Sequence, residues 1–138
     1  MYTPQQERGQ SPCVGQEVLF LEAFSYWYNE RMKVPAQIPE KGFYYHYKHD
    51  SKGSINNYAY EVLNIGHHTE EENTFFVLYR PLYEDAHVYK EGGYYDVRPL
   101  GMFMEQVVKN GVSIPRFQKI TDSAVIAKLE EIKIKMYA

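Results

Sequence analysis

Arg98 has the most chemistry to offer in this sequence, because Pro99 follows it. A residue before proline is steered to extended backbone, so Arg98 belongs at a junction between a strand and a short helix. A planar guanidinium at such a junction can hold a carboxylate or a phosphate near the helix N-terminus. The alternative is an internal ion pair with Glu105 or Glu61 that fixes the junction.

A second set of chemistry lies in Gly42-Phe43-Tyr44-Tyr45-His46-Tyr47-Lys48, the densest run of strand-forming residues. Period-2 alternation places Tyr44, His46 and Lys48 on one face and Phe43, Tyr45 and Tyr47 on the other. One face is expected to be core, and the other a solvated surface or a wall of stacking and hydrogen-bonding groups. Tyr44, His46 and Lys48, joined by Tyr79, Arg98 and Glu105, make a candidate polar pocket for an anion or a nucleobase. The competing reading makes His46 a satisfied core histidine.

His68 and Glu70 can form an acid–base pair, which would suit a small hydrolase-type enzyme, or simply stabilise a turn. A metal site would have to draw on His46, His49, His67, His68 and His87. Their spacing is poor, since adjacent His67 and His68 point to opposite strand faces. Neither a metal nor another cofactor is expected. Cys13 is the only cysteine, which rules out an intrachain disulfide. No Gly-rich phosphate loop, serine elbow or paired-carboxylate motif occurs.

The elements that must position these groups follow from composition and pattern. The 138 residues fit one domain, and 44% apolar content suffices for one core. Aromatics make up 16% of the chain, and 14 of its residues are tyrosine, so many side chains can pack and hydrogen-bond at once. A net charge of −3 argues against a broad basic surface for duplex DNA. No basic-plus-apolar leader opens the chain, and no apolar run approaches the roughly 20 residues of a membrane span. The expected location is the cytoplasm.

Residues 1–15 read as a loose terminus and 16–33 as a helix whose face carries Phe20, Phe24, Trp27 and Tyr28. Val34 to Glu40, with two prolines, reads as an extended linker. Alternation predicts strands over 58–68 and 75–79, joined as a hairpin through a charged turn. Gly92-Gly93 between Val88-Tyr89 and Tyr94-Tyr95 predicts a second tight hairpin. Pro99 suits the first turn of a short helix carrying Leu100, Phe103, Met104 and Val107. Asn110-Gly111 marks another turn, between Val107-Val108 and Val112-Ser113-Ile114. Val125, Ile126, Leu129, Ile132 and Met136 stripe a final helix over 121–137, capped by Thr121 or Asp122.

Several blocks, in order, carry a family likeness: Gly42, Tyr44 and His46-Tyr47-Lys48; Tyr60 and Val62; His68-Thr69-Glu70; Tyr79 and Leu82-Tyr83; Val97-Arg98-Pro99-Leu100, Met102-Phe103 and Glu105; and Pro115-Arg116-Phe117. Over residues 42–117 the chain resembles the bacterial family catalogued as domain of unknown function 1653. It differs from that pattern in a longer loop after Lys48, in the Gly92-Gly93 insertion, and in Asp96, where the pattern has Trp. Tyr94 or Tyr95 can replace that ring. The resemblance implies a domain type and no reaction. Its implied shape is a small, strongly bent antiparallel sheet or SH3-like barrel, in agreement with the short strands.

The expected fold is therefore α+β, mainly antiparallel β, with an N-terminal helical segment and a C-terminal helix. The expected function is a non-catalytic binding module for a small anionic or nucleotide-like ligand, a short peptide or a single strand. The rival is a homodimer built on the N-terminal aromatic segment or the C-terminal helix.

Overall fold

Aromatic and β-branched runs form strands here because such side chains pack well on a pleated surface. The computed structural model describes Pro35 and residues 37–138. The chain divides after Pro35. Cys13, the terminus over 1–15 and the helix expected over 16–33 lie outside the described residues.

Five strands form one antiparallel sheet: β1 (Gly42–His46), β2 (Ala59–His67), β3 (Phe75–Pro81), β4 (Asp96–Pro99) and β7 (Phe117–Lys119). Their order is β4-β3-β2-β1-β7. A separate hairpin pairs β5 (Gln106–Lys109) with β6 (Val112–Pro115). Its turn is Asn110-Gly111, with φ of 52° and 76°, the left-handed pair that a two-residue hairpin requires. The β2–β3 hairpin also forms as expected, with a bulge between Val62 and Asn64. A bulge adds bend and twist to a strand.

The bend brings side chains from the two edge strands together. The guanidinium carbon of Arg98, on β4, lies 5.6 Å from the ring centre of Phe117, on β7. Yet β4 and β7 do not hydrogen-bond, so the sheet is open and no barrel closes.

β1 is buried on both faces, not one. Phe43 and Tyr44 are adjacent, point opposite ways, and are 5% and 6% exposed. On the concave face Tyr44 packs with Val62, Val77, Tyr79, Phe103 and Phe117. On the other face Phe43 packs with Ala59, Leu82, Ile120 and Leu129. Helix α3 (Ser123–Tyr137) supplies Leu129 and covers that second face with Val125, Ile126 and Ile132. Asp122 starts α3 by accepting from the Ala124 and Val125 amides at 2.9 and 3.2 Å. Each fully buried Leu or Phe contributes about 1.5–3 kcal/mol through lost apolar exposure. Tyr47 and Lys48 fall outside β1, in the turn that follows it.

Two further expectations are corrected. Gly92-Gly93 is not a hairpin turn: it ends a helical turn, α1 (His87–Lys90). Gly92 has φ 71°. Its amide donates to Tyr89 O and the Gly93 amide to Val88 O, the paired bonds of a Schellman cap. The helix after Pro99 is also shorter than expected. It is α2 (Leu100–Phe103), with Pro99 as its N-cap, and Val107 belongs to β5.

Candidate binding site

Strand register assembles a polar end on the concave face. His46 on β1 sits opposite Phe117 on β7. Tyr79 on β3 sits opposite Asp96 on β4, with Arg98 two residues further along the same face. Tyr60 on β2 and Tyr83, after β3, complete the rim with hydroxyls 2.6 Å apart. Tyr58 enters β2 with φ 51°, a backbone state that is an outlier for a bulky side chain. Its carbonyl accepts from the His46 amide at 3.0 Å, and its ring lies 6.0 Å from the His46 ring.

Arg98 is the centre of this end. Its Nε donates to the Tyr79 hydroxyl at 3.0 Å, and its guanidinium lies near the Tyr79 and Phe117 rings. The carboxylates expected as internal partners pair elsewhere: Glu61 with Arg80 and Lys133, and Glu105 with Arg116. Among the described residues no ion pair holds Arg98. The carboxylate of Asp96, half-buried beside it, likewise has no hydrogen-bond partner among them. Burial pushes the Asp96 carboxyl up, while Arg98 and then His87 pull it back.

His46 is held neutral. Burial, then the Arg98, Lys48 and Arg116 charges, lower it from 6.5 to about 4. Its Nδ1 accepts from the Lys48 amide at 3.4 Å, which leaves the proton on Nε2. Its ring meets Phe117 edge-on at 5.0 Å. Burial raises the Tyr60, Tyr79 and Tyr83 hydroxyls, so all three stay protonated.

The remaining predicted residues lie elsewhere. Tyr44 is in the core, with its hydroxyl donating to Glu40 O at 2.8 Å and its ring edge-on to Phe103. Lys48 is exposed. His68 Nδ1 accepts the Glu70 and Glu71 amides at 3.1 and 3.0 Å, so the ring meets the Glu70 backbone and ties the turn. Tyr94 and Tyr95, suggested replacements for the missing ring, are 85% and 48% exposed. Among the described residues no cluster of three or more His, Cys, Asp or Glu is placed to hold a metal ion. None of the described helices is long and apolar enough to cross a membrane.

Two concavities flank the polar end. One of about 170 Å³ is lined by His46, His49 and Lys109. The other, about 340 Å³, shares Tyr83 with the rim and runs past Asn56, Glu84 and Asp85 to α3.

Sequence reasoning missed Asp96, Tyr58, Tyr60, Tyr83 and Phe117 as members of this face. Alternation signalled two of these pairs, Asp96 with Arg98 and Tyr58 with Tyr60. Phe117 had no local signal, because only its pairing with β1 brings it here.

No curated protein and no solved structure matches the chain. The model of the family described as Protein of unknown function (DUF1653) matches residues 42–119, a span holding all seven described strands and the polar end of the concave face, and the chain belongs to that family.

Proposed function

We propose that this domain is a non-catalytic binding module whose concave sheet face takes a small anionic or nucleotide-like ligand. The observation that carries the reading is Arg98. Its guanidinium is half-buried among aromatic rings, aligned by Tyr79, and without a carboxylate partner among the described residues. A half-buried cation is unfavourable unless something pairs with it, and a ligand is the group that would do so. The strained Tyr58 backbone supports the same reading, since it lays a partly exposed ring beside His46. Arg98, His46, Tyr58 and Tyr83 contact the ligand; Tyr79 positions Arg98.

The test is a thermal-shift screen of nucleotides, modified nucleosides, sugar phosphates and short oligonucleotides, with Arg98→Ala alongside. A ligand that binds only the folded state raises the melting temperature by mass action. A hit lost in a variant that still folds is the expected result. A screen without hits, together with an Arg98→Ala protein that melts much earlier, makes Arg98 structural and ends the reading.

A second reading, self-association through α3, draws on Ile134, which is 61% exposed on that helix. A monomer in light scattering at micromolar concentration removes it.

A further inference from the structure

Asp96 and Arg98 project from one strand onto one face, yet they do not bond to each other. Both are half-buried. A pair of opposite charges in this position gains by joining, because each otherwise keeps part of its desolvation penalty. The strand keeps them apart: residues i and i+2 sit roughly 7 Å apart along extended backbone, and Tyr79 draws the Arg98 Nε to its own hydroxyl. The site therefore presents a fixed acceptor next to a fixed donor, within an aromatic rim.

This arrangement suits a bare phosphate poorly. Arg98 attracts it, but Asp96 repels it from the adjoining strand position. The other nearby guanidinium, Arg116, is already paired with Glu105, and Lys48 is exposed. A planar heterocycle meets both charged groups at once, with an N–H toward the carboxylate and an oxygen or ring nitrogen toward the guanidinium. The flat rings of Tyr58, Tyr83 and His46 supply stacking surfaces for such a group.

We propose that Asp96 and Arg98 together read the hydrogen-bonding edge of a nucleobase, Asp96 accepting from an N–H and Arg98 donating to the adjoining acceptor. The inference rests on the binding reading above and narrows it: the base is what the site recognises, and Asp96 sets the specificity.

The experiment titrates guanosine, cytidine, adenosine, uridine and inorganic phosphate into the wild-type chain and into Asp96→Asn, following tyrosine fluorescence. Asn keeps the shape of Asp, and a melting curve checks that the variant folds. The expected result is that at least one nucleoside binds the wild type and phosphate does not. Asp96→Asn then weakens that nucleoside by roughly tenfold or more, the discrimination a good base contact provides. If phosphate binds, tightens in Asp96→Asn, and no nucleoside binds, the base reading is overturned while the anion-binding module stands. If nucleosides bind equally well to both proteins, Asp96 has no role in recognition and the inference falls. If neither class binds, the inference and the binding reading fall together.

Discussion

The two faces of the sheet treat charge in opposite ways. On the face under α3, Glu61 is the hub. Its Oε1 accepts from Arg80 Nε at 2.9 Å and its Oε2 from Lys133 Nζ at 3.1 Å. Arg80 also lies 4.0 Å from the Tyr137 ring centre, and the Tyr137 hydroxyl donates to Pro81 O. Each charge there has a partner, as a structural face requires. On the concave face Asp96 and Arg98 stand side by side with no ion pair among the described residues. Burial of charge is similar on both sides; among the described residues, pairing is what separates the two faces.

Mutations on each face test this difference. The largest effect is expected from Leu129→Ala, which removes the fully buried side chain that α3 itself supplies to the core. It should cost about 2–5 kcal/mol in urea unfolding, and a loss below that range would mean the α3 face is looser than the concave one. Glu61→Gln comes next. It strips Arg80 of its carboxylate partner, leaves Lys133 with Glu130 alone, and should destabilise by about 1–3 kcal/mol; an unchanged midpoint would erase the distinction between the faces. His68→Ala should cost about 0.5–1.5 kcal/mol by leaving two turn amides without their acceptor, read as faster amide exchange at Glu70 and Glu71. Asp96→Asn is the smallest: its carboxylate makes no ion pair among the described residues, so stability should stay within about 0.5 kcal/mol of wild type. A larger loss would show that Asp96 is part of the frame.

His46 adds a pH signature confined to the concave face. Its folded value of about 4 lies below the ordinary 6.5, so the unfolded chain takes up a proton that the fold refuses. Its contribution to stability is complete above pH 6.5 and is lost as pH falls toward 4. Unfolding wild type and His46→Gln across that window isolates the effect from the carboxylates. Equal slopes for the two proteins would contradict it. An anion bound at Arg98 should move the His46 resonance toward higher pH, by cancelling a charge that holds it neutral.

Legibility in the sequence followed the range of the interaction. Asn110-Gly111 and the Asp122-capped stripe of α3 were readable because turn and cap chemistry lies within a few residues. Gly92 was half legible: its need for positive φ was clear, but a hairpin and a helix C-cap make the same demand. The alternation in β1 was real, though aromatics on both faces were the mark of a strand covered on both sides. β7 was invisible, three residues whose structure depends on β1, far away in sequence. The site divides the same way. Arg98 and His46 stood out by residue type and spacing, whereas the lack of an ion pair at Arg98 among the described residues emerged only once Glu61 and Glu105 had been placed with other partners.

The pairing of β1 with β7 also sets an order of events in time. β1 is made early, but the strand that covers its outer edge arrives only with Phe117 to Lys119. Phe117 also stacks on Phe103 at 4.2 Å between ring centres, so the concave core lacks a principal ring until then. During synthesis the β2–β3 hairpin can form promptly, while β1 presents an uncovered hydrogen-bonding edge. Closing that long loop is expected to be the slow, late step. A chain cut short before Phe117 would therefore expose the aromatic interior along a bare strand and be prone to aggregate.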